Sequence, residues 1–180
     1  MTVKEVISAA LFKMGYGEVD FDEMTSEESA LVQKMLKCLN LVYQQIETEY
    51  LPLTKKETKN FLGGTLEIST LSKPLLYVVG IKKDGVAKSF KTKASYIETT
   101  FDGDAEIEYA YLADDFLLTG EIADKRLAKW LIADGVVAEF CYAENMPVEA
   151  AAAYKRFTDG LKYLKNKSLR LTVLARRWPQ

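Results

Sequence analysis

GEIADKRLAKWLIADGVVAEFCYAENMPVEAAAAYKRFTDGLKYLKNK, residues 120–167, has the pattern of two consecutive amphipathic helices, around which the rest of the chain is expected to pack. In its second half, apolar side chains recur at helical spacing along one face. These residues are Ala150, Ala153, Tyr154, Phe157, Leu161 and Leu164. In its first half, the expected partner surface consists of Ile122, Leu127, Trp130, Leu131, Val137, Phe140 and Cys141. The short joint at residues 145–147 predicts an antiparallel helical hairpin.

Two more helices are predicted before this hairpin, within the first 50 residues. Two pairs have the spacing of a capping box, Thr2 with Glu5 and Thr25 with Glu28. Gly15 is expected to end the first helix, as glycine does after a helical C-terminus. The second helix is expected to run to about Tyr50, because Pro52 cannot continue it.

Between the two helical parts, the apolar period changes from helical spacing to alternation, which is typical of strands. Asp84-Gly85 is the strongest hairpin signal in the chain. Gly63-Gly64 and Asp102-Gly103 are further turn signals. The pattern predicts an antiparallel meander of about five or six short strands.

The sequence therefore predicts an α+β fold built on a bundle of about four helices. Residues 1–53 and 114–168 form the helical bundle domain, and residues 54–113 form an inserted antiparallel β-meander or sheet. Residues 169–180 are predicted to be an extended basic C-terminal arm.

Composition restricts the chemistry that the chain can perform. None of its 180 residues is histidine, which removes the commonest general base and the usual zinc and iron ligands. Cys38 and Cys141 fall among helical core positions, so they are read as buried thiols of a protein made in a cytoplasm, with a disulfide as the alternative. No run of apolar residues is long enough to span a membrane. We expect no enzyme activity, and we assign no catalytic, cofactor-binding or metal-binding residue.

Three groups of polar residues have some features of a site, but their patterns are more typical of solvated surface. Glu106 and Glu108 share one strand face, and five lysines surround the Asp84-Gly85 turn; these are Lys82, Lys83, Lys88, Lys91 and Lys93. A phosphate-binding patch is the alternative for the lysines, which otherwise protect a sheet edge. The acidic residues after the first helix, Asp20, Asp22 and Glu23, lack the glycine and glutamate offsets of a calcium loop.

The end of the sequence, LRLTVLARRWPQ at residues 169–180, differs in charge from its beginning. It contains three basic and no acidic residues, whereas residues 1–53 contain four basic and nine acidic residues, a net charge of −5. Arginine and tryptophan are the residue types that most often anchor interfaces. We expect this arm to dock on another molecule; packing on its own helices and contact with nucleic acid are the alternatives.

The order of these features resembles that of the head–tail adaptor (connector) proteins of tailed bacteriophages, over most of the chain. The first helix ends in Met14-Gly15, and a long second helix closes at Glu49-Tyr50. That second helix carries Leu36, Leu39, Asn40, Val42 and Tyr43. The later elements of the resemblance are Leu71-Ser72-Lys73, Glu108-Tyr109-Ala110-Tyr111-Leu112, a helical pair and the ending Ala175-Arg176-Arg177-Trp178.

This resemblance implies a structural virion protein that forms a ring of about twelve copies between portal and tail. The expected partners are copies of the chain itself, the portal protein and tail or second connector proteins. Double-stranded DNA would pass through the ring without sequence-specific binding, and no membrane is involved. The protein would be made in the host bacterial cytoplasm and reside at the head–tail junction of the virion. Docking on the portal or a neighbouring subunit would use Arg170, Arg176, Arg177 and Trp178.

Two other classes of function remain open from the sequence. One is a small ligand-binding or enzymatic α+β domain with a site in the β insert, where Glu106, Glu108 or a lysine would lie buried in a pocket. The other is a nucleic-acid binder with a basic tail, whose affinity for DNA would fall steeply with salt.

Overall fold

A computed structural model describes residues 1–170, with side chains described as far as Lys165. Helices and antiparallel sheets make up this part of the chain, which confirms the predicted α+β fold. The helices are α1 (Val3–Lys13), α2 (Ser26–Gln45), α3 (Lys129–Ala143) and α4 (Pro147–Arg170). The strands are β1 (Leu53–Phe61), β2 (Thr65–Glu67), β3 (Leu75–Lys83), β4 (Val86–Lys88), β5 (Phe90–Thr92), β6 (Tyr96–Thr99) and β7 (Gly103–Tyr111).

The chain divides into two compact units. The helical unit contains Met1–Ile46 and the chain from Asp115 onwards, and the β unit contains Glu47–Asp114. The predicted insert was residues 54–113, so the observed β unit begins seven residues earlier and ends one residue later.

Both predicted capping boxes are present. At the start of α1, the Thr2 hydroxyl accepts a hydrogen bond from the Glu5 N–H at 3.2 Å, and the Glu5 carboxylate accepts one from the Thr2 N–H at 2.8 Å. The latter bond lowers the pKa of Glu5. Thr25 and Glu28 repeat the arrangement at α2. Each box satisfies two backbone donors that a helix start leaves free.

Gly15 ends α1 in the way the sequence predicts. Its φ is +78°, and the next residue, Tyr16, donates its N–H to the Leu11 carbonyl at 3.0 Å. This is the Schellman arrangement, in which a left-handed glycine lets the chain turn back on the last helical carbonyls. The second helix ends differently from the prediction, because α2 stops at Gln45 and a π-helical turn, Ile46–Tyr50, follows.

The first helix of the hairpin begins at Lys129, whereas the apolar spacing predicted a start near Gly120. The backbone before it is engaged elsewhere: Gly120 accepts a hydrogen bond from the Val3 N–H at 3.0 Å. Ile122 donates its own N–H to Met1 at 2.8 Å. The bond to Gly120 occupies a carbonyl that a helix starting at this residue would use, although Ile122 is buried as predicted.

The α3–α4 hairpin is confirmed, and glycines set how closely its helices pack. Asn145 turns the chain with φ +57°, and Pro147 is the first residue of α4. A Cβ at Gly135 of α3 would lie 2.9 Å from the Phe157 ring, and one at Gly160 of α4 would lie 2.5 Å from Leu131. The predicted stripe of α4 is buried at Ala150, Ala153, Phe157 and Leu161.

The β unit contains two antiparallel sheets with the strand orders β1-β7-β3-β4 and β2-β6-β5, so the prediction of a simple meander is wrong. Asp84-Gly85 forms the predicted two-residue hairpin, with φ of +53° and +76°. At Asp102-Gly103, however, the chain changes sheet instead of pairing β6 with β7. The Asp102 carboxylate accepts a hydrogen bond from the Gly64 N–H at 2.6 Å, which fixes this crossing.

Each unit has its own core. In the β unit, side chains from both sheets pack together, among them Phe61, Leu66, Ile81, Ile97, Ile107 and Tyr109. In the helical unit, Cys38 and Cys141 are buried free thiols, as predicted. Burial raises the pKa of the Cys38 thiol to about 11, so this thiol stays protonated and unreactive at neutral pH.

Candidate functional site

The predicted docking residues fall at the end of the described chain. Arg170 is the last residue of α4, so the helix continues two residues beyond the predicted start of the arm at residue 169. Arg176, Arg177 and Trp178 lie outside the described residues. A surface that receives this segment would be an open, partly apolar one with acidic residues nearby.

An open groove of about 450 Å³ lies on the helical unit, and we call it the aromatic groove. Its walls are one face of α1, the loop that follows α1 and the first turn of α3. The side chains used below are Ser8, Phe12, Tyr16, Phe21, Lys129 and Trp130. Four of these six are aromatic, so the groove offers ring faces and edges to an incoming apolar group.

Trp130 stands at the rim of the aromatic groove, whereas the sequence predicted it in the core of the hairpin. It is 48% exposed, and its ring meets that of Phe12 edge to face at 6.2 Å between centroids. The ammonium groups of Lys13 and Lys129 lie 5.6 and 5.2 Å from the Trp130 ring. These contacts stabilise the position of the exposed indole, because cations favour the face of an aromatic ring.

The loop that forms one wall of the groove is acidic. Glu18, Asp20, Asp22 and Glu23 follow each other within six residues. Asp22 pairs with Lys4 at 3.2 Å, and no ion pair of the described residues engages the other three carboxylates. No group of three or more potential metal ligands occurs among the described residues, either here or elsewhere. The loop therefore presents negative charge beside an aromatic surface.

A buried carboxylate fixes the helices beneath the groove. Asp134 of α3 forms an ion pair with Lys13 of α1, with 2.7 Å between the ammonium nitrogen and a carboxylate oxygen. The Arg156 guanidinium of α4 donates a hydrogen bond to the same carboxylate at 3.1 Å. Only 11% of the Asp134 side chain is exposed. One carboxylate thus joins three helices, and Lys13 is held at the same time against Trp130.

Sequence reasoning missed the aromatic groove because its residues come from three separate segments. A signal was nevertheless present at Phe12, which falls outside the apolar face of α1 formed by residues such as Val6, Ile7 and Leu11. Phe12 is 72% exposed as a result. A large aromatic residue on the polar side of an amphipathic helix indicates a contact surface.

The β unit contains a second polar cluster that the sequence did not reveal. Glu57 of β1 accepts hydrogen bonds from the Tyr109 hydroxyl at 2.7 Å and from the Ser72 hydroxyl. Lys55 and Lys59 form ion pairs with it at 3.3 and 3.1 Å. Lys59 also donates to the Thr70 carbonyl at 2.6 Å, so β1 is fastened to the segment between β2 and β3.

Two opposing effects set the pKa of Glu57. Burial of the carboxylate raises its pKa, but hydrogen bonds from Ser72, Tyr109, Lys59 and Lys55 outweigh burial and lower the pKa to about 2. Glu57 is consequently ionised throughout the physiological range. A carboxylate in this state cannot act as a general acid, and its four partners occupy both of its oxygens.

Several of the polar residues that the sequence singled out in the insert make local contacts with neighbouring residues. Glu106 and Glu108 are partly exposed on β7, and the Lys56 ammonium lies 4.0 and 3.6 Å from their carboxylates. Among the five lysines near the Asp84-Gly85 turn, Lys83 donates to the Asp102 carbonyl at 2.6 Å and covers the Phe101 ring. These contacts match the interpretation of both groups as a charged strand surface.

Glu47 is a buried carboxylate at the first residue of the β unit. Its Oε2 accepts a hydrogen bond from the Ala113 N–H at 2.9 Å, whereas its Oε1 has no partner among the described residues. Burial raises the pKa of Glu47, and the single hydrogen bond from Ala113 only partly opposes this effect. The site therefore favours the neutral acid more than an ordinary surface glutamate does.

Exposed large apolar side chains occur on all four described helices. Phe12 belongs to α1 and Leu41 to α2; Trp130 and Tyr142 belong to α3, and Val148 and Tyr163 belong to α4. Val148 is 77% exposed and Tyr163 67% exposed. Such residues are normal singly, and each of the four described helices carries at least one of them.

Among the described helices, none combines the length and apolarity needed to cross a membrane. Comparison of the sequence with protein-family models and with curated proteins finds no match.

Proposed function

We propose that this protein is a structural, non-enzymatic ring subunit of a tailed-bacteriophage virion, a head–tail adaptor that sits between portal and tail. The proposal rests on the resemblance described above and on one observation in the structure. That observation is the distribution of exposed apolar side chains over all four described helices, from Phe12 of α1 to Tyr163 of α4.

A ring explains this distribution better than a two-fold dimer does. In a ring each subunit presents one surface to the copy ahead and a different surface to the copy behind, so apolar residues are needed on more than one side. A symmetric dimer needs only one self-complementary patch. Leu41 on α2 and Val148 on α4 are exposed residues on two different helices of this unit.

Charge is compatible with the passage of DNA. The chain has 24 basic and 26 acidic residues, a formal net charge of −2, and residues 1–53 alone carry −5. A wall of like charge gives DNA few sites on which to stick while it slides. In this proposal the DNA is a passing partner that is not bound sequence-specifically, and the binding partners are portal and tail proteins.

The polar network around Glu57 does not lead us to propose a ligand site in the β unit. Its carboxylate, its two lysines and its two hydroxyl groups are engaged with one another. A ligand would have to break these bonds to find a partner.

The test is the mass of the full chain in solution, measured by light scattering on a sizing column, with negative-stain images of the same fractions. We expect rings with an open centre, either alone or after addition of purified portal protein. Monomers in both conditions would contradict the proposal. DNA binding that weakens steeply as salt is raised would favour the nucleic-acid alternative instead.

A further inference from the structure

We propose that residues 171–180 of one copy occupy the aromatic groove of a neighbouring copy, with Trp178 inserted among its rings. This inference rests on the ring function proposed above and specifies the contact that would close the ring. Three observations carry it: where α4 ends, what the groove is made of, and what the segment after α4 contains.

The first observation is where α4 ends relative to the groove. Gly160 of α4 packs against Leu131, which is next to Trp130 at the start of α3. Residues 161–170 continue the helix beyond this level, and ten helical residues span about 15 Å. Arg170, the last described residue, therefore lies well beyond the level of α4 that is next to the groove of its own copy.

The reach of the following segment suits a neighbour. Ten residues follow Arg170 in the sequence, and an extended chain of that length covers up to about 33 Å. To dock in the groove of its own copy, the segment would have to turn back directly after Arg170. It would then use about half of its roughly 33 Å reach to pass back along the last 15 Å or so of α4. Docking on the next copy continues in the direction that the helix already has.

The side chains of the groove and those of the segment after α4 are chemically complementary. The groove presents the rings of Phe12, Tyr16, Phe21 and Trp130, and the segment supplies Trp178 together with the apolar residues Leu171, Val173 and Leu174. Aromatic pairs in edge-to-face geometry stabilise a contact beyond the area that they bury.

The charges also match. The loop along the groove offers the carboxylates of Glu18, Asp20 and Glu23, which the ion pairs of the described residues leave free. The segment brings Arg176 and Arg177 and no acidic residue. Arginines beside a tryptophan can pair with these carboxylates while the indole enters the groove.

Such a contact is heterologous, because the arm of one copy meets the groove of the next. Contacts of this type repeat around an axis and close into a ring when the rotation permits. The inference thus assigns to Arg176, Arg177 and Trp178 a partner surface on the same kind of chain.

The experiment is a directed disulfide between two distinguishable copies of the full chain. One copy carries Ser8→Cys in the groove and the other carries Pro179→Cys in the arm, so Trp178 and all four groove rings are kept. The two copies bear tags of different mass and are mixed and oxidised mildly. The native Cys38 and Cys141 are buried and do not compete.

The matched control replaces Ser8→Cys with Ala152→Cys, an exposed small residue near the start of α4 and outside the groove. We expect the mixed cross-linked dimer to form at least about tenfold faster with Ser8→Cys than with Ala152→Cys, since a buried tryptophan anchor is worth more than a factor of ten in affinity. Adding Trp178→Ala to the arm copy should remove this difference.

Equal rates for Ser8→Cys and Ala152→Cys would overturn the inference. A second outcome would also overturn it. A single chain that carries both Ser8→Cys and Pro179→Cys could close an internal disulfide while the mixed copies do not cross-link. That result would mean that the arm docks in the groove of its own copy. Light scattering of the same samples separates the two proposals. Rings without the mixed cross-link would contradict the arm contact alone, whereas monomers that stay monomeric with portal would contradict the ring function.

Discussion

The helical unit and the β unit neutralise their buried carboxylates in different ways. In the helical unit, Asp134 lies between two cationic side chains from two other helices. In the β unit, Glu57 has two hydroxyl groups and two lysines around it, and Glu47 has a single backbone N–H. Asp134 is thus balanced by two cations, Glu57 by two cations and two hydroxyl groups, and Glu47 by one neutral hydrogen bond.

This difference reflects what each carboxylate holds together. Asp134 joins α1, α3 and α4, which meet through side chains only, so an ionic group between them fixes their mutual arrangement. Glu57 reinforces strands that the backbone already pairs along β1 and β7. Glu47 accepts one N–H at Ala113 and has an unpartnered oxygen among the described residues. We expect the loss of folding stability on replacing each carboxylate by its amide to decrease from Asp134 to Glu57. For Glu47, the same replacement should increase stability.

The largest effect is expected for Asp134→Asn. The substitution keeps the shape but removes the charge that Lys13 and Arg156 share, and it should lower the free energy of unfolding of the helical unit by about 3 kcal/mol. The free energy of unfolding is measured by urea titration, followed by the fluorescence of Trp130. A Trp178→Phe background leaves Trp130 as the single tryptophan of the sequence. Asp159→Asn, an exposed residue of α4, is the control and should change stability by less than about 0.5 kcal/mol. Equal effects of the two would show that Asp134 does not organise the helices.

A smaller effect, with a defined pH dependence, is expected for Glu57→Gln. The folded pKa of about 2 lies below the ordinary value of 4.5, so the ionised carboxylate stabilises the β unit above pH 4.5. That stabilisation is lost as the pH falls towards 2. At pH 7 the variant should be less stable by roughly 2 kcal/mol, and the two proteins should converge near pH 2.

Urea unfolding followed by circular dichroism across this pH range measures the Glu57 effect. Glu98→Gln, at an exposed position of β6, serves as the control and should leave the pH profile unchanged. A constant difference between wild type and Glu57→Gln at all pH values would mean that the network acts through shape and not through charge.

The smallest effect, and the opposite sign, is expected for Glu47→Gln. Burial raises the folded pKa of Glu47, so its stability contribution is fully present below the ordinary value of 4.5 and is lost as the pH rises through the folded pKa. At pH 7 the neutral variant should be more stable by about 1 kcal/mol, because it avoids ionising a buried group and keeps an acceptor for the Ala113 N–H. The same unfolding experiment at pH 4 should show no gain. A loss of stability at pH 7 would contradict this account.

The two units also differ in how well the sequence predicted them. In the helical unit, the capping boxes at Thr2 and Thr25 and the turn at Gly15 were predicted correctly, since each depends on residues within five positions of one another. The start of α3 was placed too early, because backbone pairing of Gly120 with the chain start competes with helix formation. That competition involves residues more than a hundred positions apart.

In the β unit, the Asp84-Gly85 hairpin was predicted because both of its residues tolerate a positive φ in a two-residue turn. The strand order was not predicted correctly. Asp102-Gly103 has the same local signal as Asp84-Gly85, but at this position the chain passes from one sheet to the other. What distinguishes the two turns is the hydrogen bond from Gly64 to Asp102, a contact between residues 38 positions apart.

Local spacing and composition were sufficient to predict the α+β class, the capped starts of α1 and α2, the tight Asp84-Gly85 hairpin and the basic, tryptophan-bearing segment after α4. Only the tertiary structure decided that Trp130 stands at an aromatic groove, that Asp134 joins three helices and that Glu57 gathers four partners. These features arise where side chains from distant segments meet, and their energies depend on burial and distance, which are properties of the packed chain.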